Sequence, residues 1–305
     1  NKNMPPQNFV QPSAPTNPVK IGKFRASRII AKESWALLSH DRELLLFPVL
    51  SALTFLASLA LIIAVFYFGF ADGNLETLKN LEGEGENLSN VATYAIVFGY
   101  YLLVFFVTNF FQAGMFLIVH ARLNGGNLSL GRGIGGAAQH VGRIFVWSLI
   151  SATVGVVLQI IADKSKVIGK IVAAILGSAW NILTYFSLPS LVIGQKGVVD
   201  SFKESAAMIR KTWGETIIVS FGVGLFFSLI ILLLVALGVV ILILFPTMTV
   251  ALSVGGSLVI LVILITILSS TLNSIFKLVL FEYARTGTIP QGFSPDVVRS
   301  AIRVR

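Results

Sequence analysis

Few side chains in this chain could do chemistry. There are three histidines, His40, His120 and His140, among 305 residues, and 14 carboxylates. None of the histidines sits at metal-ligand spacing with another histidine or a carboxylate on a predicted helix face. No HExxH, Walker loop or GxSxG elbow is present. The aspartates, Asp41, Asp72, Asp163, Asp200 and Asp296, find no plausible catalytic partner in sequence. Cysteine is absent, which excludes disulfides, thiol nucleophiles and Cys-ligated metals. The expectation is a protein with no catalytic, cofactor or metal site, hence not an enzyme. His120 ends an apolar run beside Arg122 and reads as an interfacial residue.

Uncharged amides form a second set. Asn109, Gln112, Gln159, Asn181 and Asn273 all fall inside apolar runs. A buried amide in hydrocarbon needs a partner. Interhelical hydrogen bonds, worth about 0.6–2 kcal/mol each, would supply it. In the sharper reading Asn109, Gln112, Asn181 and Asn273 line a polar cavity for water, a lipid headgroup or a small solute. Ionisable residues are missing from the run centres. Lys170, Lys277 and Glu282 lie near run ends, where long side chains can reach the interface. Lys277 and Glu282, five apart, are not a well-placed helical pair. Such a pattern argues against an ion-coupled carrier, which keeps charge inside the membrane.

The elements that position these residues are six long apolar runs. The chain is 55% hydrophobic and 12% charged, with a mean hydropathy of +0.85, where a soluble domain carries about 25% charge. The spans read as Leu44–Phe70, Val91–Ala121, Ile144–Ala162, Val167–Ile193, Thr216–Phe245 and Met248–Ala284. Pro246-Thr247 is the break between the last two. The predicted fold class is therefore all-α, a polytopic membrane protein with six transmembrane helices, since about 20 apolar residues cross a bilayer. With the N-terminus inside, all but Lys79, Lys164, Lys166 and Lys170 of the 23 Lys and Arg fall on the inner side. This bias predicts both termini in the cytoplasm. The formal charge of +9 is thus a topology signal; no nucleic-acid motif accompanies it, and no nucleic-acid partner is expected. The outer segment Ala71–Asn90 is acidic and reads as a soluble spacer.

Two segments match without gaps at an offset of 178: Phe24 with Phe202, Ser27 with Ser205, Lys32 with Arg210 and Trp35 with Trp213. Each reads as an amphipathic interfacial helix leading into a helical pair. Arg25, Lys32, Trp35, Lys203, Arg210 and Trp213 are the expected lipid-interface residues, Trp at headgroup depth and cations toward anionic lipid. A weaker third copy runs from Leu130 to Arg143. Its glycines lower helical character, and Gly125–Gly136 as a whole reads as a flexible turn rather than a phosphate cradle. Ser129, Asp200 and Ser201 are candidate helix caps. Small-residue stripes (Gly169, Ala173, Gly177; Ser220, Gly224, Ser228) fit close helix approach, within one chain or between copies.

A resemblance rests on Phe24-Arg25-Ala26-Ser27 through Ser34-Trp35 and on Arg42-Glu43-Leu44-Leu45-Leu46-Phe47-Pro48. It extends to Leu188-Pro189-Ser190-Leu191-Val192-Ile193, Ser201-Phe202-Lys203-Glu204-Ser205 and Lys211-Thr212-Trp213-Gly214-Glu215. Phe281-Glu282-Tyr283-Ala284-Arg285-Thr286-Gly287 and Pro290-Gln291-Gly292-Phe293 complete it. Together these stretches resemble an uncharacterised family of prokaryotic six-helix membrane proteins. The layout is similar to the membrane domains attached to some glycerophosphodiester phosphodiesterases. The resemblance implies a fold and a cytoplasmic (inner) membrane location; it transfers no activity. The expected organisation is a disordered tail over 1–19, a six-helix domain over 20–285 and a basic cytoplasmic tail over 286–305. The expected role is organising the membrane or supporting a partner complex, with anionic lipid, a protein or a second copy as partner. The alternative is a channel or permeation pathway.

Overall fold

The computed structural model describes residues 23–69, 86–165, 167–211, 215–290 and 292–293. Among them every regular element is helical. The order is α1 (Lys23–His40), a 3-10 turn (Arg42–Leu45), α2 (Leu46–Gly69), α3 (Glu86–Leu123) and α4 (Leu130–Gln139). Then follow α5 (Val141–Asp163), α6 (Ile168–Leu183), α7 (Ser187–Val192), α8 (Val198–Lys211), α9 (Glu215–Leu244) and α10 (Met248–Thr286). Six of the helical stretches are long and apolar enough to cross a membrane: 42–64, 98–123, 141–163, 168–192, 226–244 and 248–286. In hydrocarbon a span must satisfy its own backbone, and a helix does so. The acidic segment Ala71–Asn90 is helical from Glu86 onward; residues 70–85 lie outside the described set.

The break between the last two spans lies where the sequence placed it. Helix α9 ends at Leu244 and α10 begins at Met248, with Thr247 extended and its hydroxyl accepting from the Val250 N–H at 3.3 Å. At the far end of α10, Gly287 has φ of +71° and donates to the Tyr283 carbonyl at 2.9 Å. This left-handed cap favours glycine.

Span four differs from the expected single run. It divides into α6 and α7 at residues 184–186. Pro189 gives the reason. It lacks an N–H, and in a continuous helix its ring would meet the Tyr185 carbonyl; in the first turn of a new helix it is tolerated. The backbone groups freed at the break are taken up by α8. The Ser205 hydroxyl donates to the Leu183 carbonyl at 2.7 Å and accepts from the Phe186 N–H at 2.9 Å.

The glycine-rich stretch also corrects the sequence reading. Residues 130–139 form helix α4, as the weaker third copy at Leu130–Arg143 predicts, and not the flexible turn read over Gly125–Gly136. A Cβ on Gly133 would lie 2.8 Å from the Ile118 side chain and 3.0 Å from the Gly114 carbonyl oxygen. One on Gly114 would lie 2.8 Å from Phe47 and 3.3 Å from the Gly133 oxygen. Two glycines thus let the α3 and α4 backbones touch, and packing overrides the low helical propensity. The expected caps are partly corrected too. Ser129 occupies the cap position of α4, but its side chain makes no capping bond. Ser201 bonds back to the Val198 carbonyl at 2.7 Å, and Asp200 lies in the first turn of α8.

The core gathers at one end of the bundle. Phe47, Phe116, Phe186, Phe276 and Phe281 are fully buried there, with Phe186 and Phe281 rings 6.1 Å apart. The short helices α4, α7 and α8 pack at this end, where α3 and α10 terminate. A stack of Trp147, Trp180 and Phe202, with successive centroids 6.1 and 5.8 Å apart, ties α5, α6 and α8 together. The stripe on α6 faces α5: Gly169 leaves no room for a Cβ beside the Ile161 carbonyl, and Gly177 sits over Leu158. The stripe on α9 meets open space at Gly224, and Ser228 is exposed.

Candidate functional site

Three helix ends meet around the last turn of α3. His120 Nδ1 lies 2.6 Å from Glu282 Oε1 of α10, a partner 162 residues away in sequence. Glu282 is nearly buried, and its other oxygen accepts from Arg285 at 3.3 Å. Two residues on, Arg122 grips Asp41 at the junction of α1 and α2, with Nη2 donating to Oδ1 at 2.7 Å and Nε in ion-pair contact with Oδ2. Asn124 donates to the His120 carbonyl at 2.8 Å. Beside these residues lies a cavity of about 520 Å³, lined by His120, Asn124, Glu282, Arg285, Thr286 and Thr288 among others.

The electrostatics follow from helix geometry. Both α3 and α10 end here, so two sets of unpaired carbonyls give the cavity negative character. His120 and Arg122 in the last turn of α3, and Arg285 in that of α10, oppose it. Glu282 then balances His120 and Arg285. The cluster is therefore largely neutralised from within, which favours neither a bound anion nor a bound cation. An imidazole held by a carboxylate has a fixed tautomer and can relay a proton. Acyl or phosphoryl transfer needs a nucleophile as well. The nearest hydroxyls, Thr286 and Thr288, hydrogen-bond each other at 2.7 Å, and Thr286 also bonds the Glu282 carbonyl. Among the described residues no group of three or more His, Asp or Glu side chains converges for a metal.

Neither pair was visible beforehand. In sequence His120 and Asp41 stand 162 and 81 residues from the partners they meet in the fold, and Glu282 and Lys277, five apart, are not a helical pair. Lys277 instead lies over the Tyr185 ring, 4.7 Å from its centroid. A signal did exist: charged residues in the terminal turns of separate spans generally find one another, because leaving them unpaired in the membrane is costly. A further polar contact, Ser190 with Glu204, holds α7 against α8. His140, at the junction of α4 and α5 and outside the spans, has its pKa held below the ordinary histidine value, first by partial burial and then by Arg143.

The four amides have different surroundings, and of them Gln112 alone lines the cavity between α2, α3 and α10. Asn109 donates to Ser148 of α5 at 3.1 Å, and Gln112 to Ser274 of α10 at 3.2 Å. Asn181 is exposed on α6, and Asn273 is half-buried on α10. Gln159 bonds Asp163 on its own helix at 3.2 Å. Of the proposed lipid-interface residues, Lys32 and Trp35 are exposed on α1, and Lys203 and Arg210 on α8. Arg25 belongs to α1, its side chain outside the description, and Trp213 lies outside the described residues.

A family model matches residues 91–292, more than half of the chain. The chain belongs to DUF6159, a family of unknown function. In this DUF6159 chain the match takes in His120, Arg122, Glu282 and Arg285, and leaves out α1, α2 and Asp41. Searches of curated proteins and of solved structures found no match. Nothing in these comparisons links the DUF6159 chain to the membrane domains of glycerophosphodiester phosphodiesterases.

Proposed function

We propose that this DUF6159 protein is a non-enzymatic integral membrane protein that organises anionic lipid, or supports a partner membrane complex, through its cytoplasmic face. The observation that carries the reading is the end where α1, α4 and α8 gather. Its core is dense, its charged pairs are spent on one another, and Lys32, Trp35, Lys203 and Arg210 remain exposed on α1 and α8. A packed base under two basic helices, with Trp35 exposed on α1, suits grip on anionic headgroups. The Lys and Arg bias puts this end, and both termini, in the cytoplasm of a prokaryotic inner membrane. In this reading the chain is built of three units, each a short interfacial helix followed by two spans.

The permeation reading has less support, because Asn109 and Gln112 use different partners on different helices. The experiment is reconstitution of the pure protein in liposomes, with ion and solute flux measured alongside lipid co-purification. Enrichment of anionic lipid, reduced by Lys32→Glu with Arg210→Glu, and no flux above empty liposomes is the expected outcome. Protein-dependent flux would replace this reading with the channel, and turnover of a lipid substrate would replace it with an enzyme.

A further inference from the structure

Lys277 is a cation that the fold leaves without an anion. From Thr271 to Glu282, α10 is buried at every residue except Asn273 and Lys277. Both are half-buried, and at four residues apart they share one face of the helix. The Lys277 ammonium lies 4.7 Å from the centroid of the Tyr185 ring, where span four breaks between α6 and α7. One turn on, Phe281 of α10 meets Phe186, so this part of α10 runs beside the break. Among the described residues neither Asn273 nor Lys277 makes a hydrogen bond or an ion pair. The nearest carboxylate in sequence, Glu282, is held by His120 and Arg285. Helices α3 and α10 run parallel and in step: Gln112 meets Ser274 and His120 meets Glu282, each pair 162 residues apart. Lys277 is therefore level with Met115, and beside Met115 the residues Gly114 and Ile118 lie close against Gly133 of α4. With α4 as an interfacial helix, the ammonium stands at headgroup depth.

We propose that the slot holding Asn273 and Lys277 beside Tyr185 binds the phosphate of an anionic phospholipid. This deepens the cytoplasmic-face reading, on which the depth of the site rests. Charge selects the occupant. An unpaired charge within a span is costly and marks a site that receives a partner. The Tyr185 face attracts the ammonium but carries no net charge to cancel it. An ammonium has three N–H donors and an amide two. A phosphate oxygen accepts from both and adds the missing negative charge. A zwitterionic headgroup brings its own ammonium with its phosphate, so it neutralises Lys277 less well than an anionic one. Basic sites between spans on the cytoplasmic side recognise lipid headgroups in this way.

The experiment is native mass spectrometry of the full chain in non-ionic micelles carrying equal amounts of phosphatidylglycerol and phosphatidylcholine. Retention of one phosphatidylglycerol in preference to phosphatidylcholine is expected. Lys277→Met keeps the side-chain length without the charge and should lower that preference at least roughly tenfold, as for a lost hydrogen bond to a charged group. Lys277→Arg should keep it. Should Lys277→Met fail to fold, Asn273→Leu still reads the site, with an expected loss of roughly fivefold. Lys32→Glu with Arg210→Glu, which tests the exposed basic surface, should leave this one lipid in place, so either reading can fail without the other. A preference unchanged in both Lys277→Met and Asn273→Leu would overturn the proposal. So would loss of the bound lipid in the Lys32, Arg210 variant, or its displacement by an equal concentration of inorganic phosphate.

Discussion

The two ends of the bundle are built on different terms. Where α3 and α10 terminate, Phe116, Phe276 and Phe281 are sealed from any solvent, and charged residues pair across helices. At the opposite end the α9–α10 hairpin stands open: Leu233 is 69% exposed and Ile243 71%. None of the most apolar stretch of α10 is buried, against 39% of that of α3. In water so much exposed Leu and Ile would be a fault. In a bilayer, lipid tails are as apolar as leucine, so burying it against another helix gains little. Specificity must then come from shape, small-residue contacts and polar pairs, and these are gathered at one end.

If that contrast is right, equal truncations at the two ends should differ sharply. Phe281→Ala should cost about 3–5 kcal/mol, as for other fully buried aromatics. Leu233→Ala should stay within about 0.5 kcal/mol. Unfolding measured by steric trapping in bicelles would check the pair, and similar losses at both sites would abolish the distinction.

The next effect concerns the charged pair. Glu282→Gln leaves His120 and Arg285, each about a third exposed, facing a neutral amide at the position of a buried carboxylate. The expected loss is about 2–3 kcal/mol. A double-mutant cycle with His120→Ala should recover a coupling of at least about 0.5 kcal/mol. Additive losses would mean that the 2.6 Å contact is incidental to stability.

Helix contacts come third. Gly133→Val should cost about 1–3 kcal/mol by overpacking against Ile118 and the Gly114 carbonyl. Gly256 of α10 has nothing within 4 Å of a built Cβ, so Gly256→Val should be close to neutral. A tolerant Gly133 would imply that α3 and α4 do not rely on backbone contact.

Sequence alone revealed the spans, because hydropathy over some 20 residues is a local property. The Pro246 break and the Gly287 cap were local too. The helix at 130–139 is only partly legible: the weaker third copy at Leu130–Arg143 points to it, but its glycines lower local propensity, and the need for Gly133 shows only in its contact with Gly114 on another helix. The division of span four is legible locally in Pro189, whose ring conflicts with the Tyr185 carbonyl; its repair by Ser205, 19 residues beyond Phe186, is not local. The charged cluster was least legible. Its key partners are 162 and 81 residues apart, and no spacing rule reaches so far.

The smallest effects test whether an amide's worth depends on where it points. Asn109 is bonded across helices to Ser148, so Asn109→Leu should lose about 0.6–1.7 kcal/mol, the range found for such bonds in membranes. Asn181 is exposed on α6, on a surface otherwise offered to lipid, with Ile175 and Leu176 nearby. Asn181→Leu replaces a polar group in hydrocarbon with an apolar one, and the expected sign is reversed: neutral or mildly stabilising. The same chemical change would then move stability in opposite directions at two places. A loss at Asn181 as large as that at Asn109 would show that α6 carries a polar contact at this face and that the open surface is covered in the membrane.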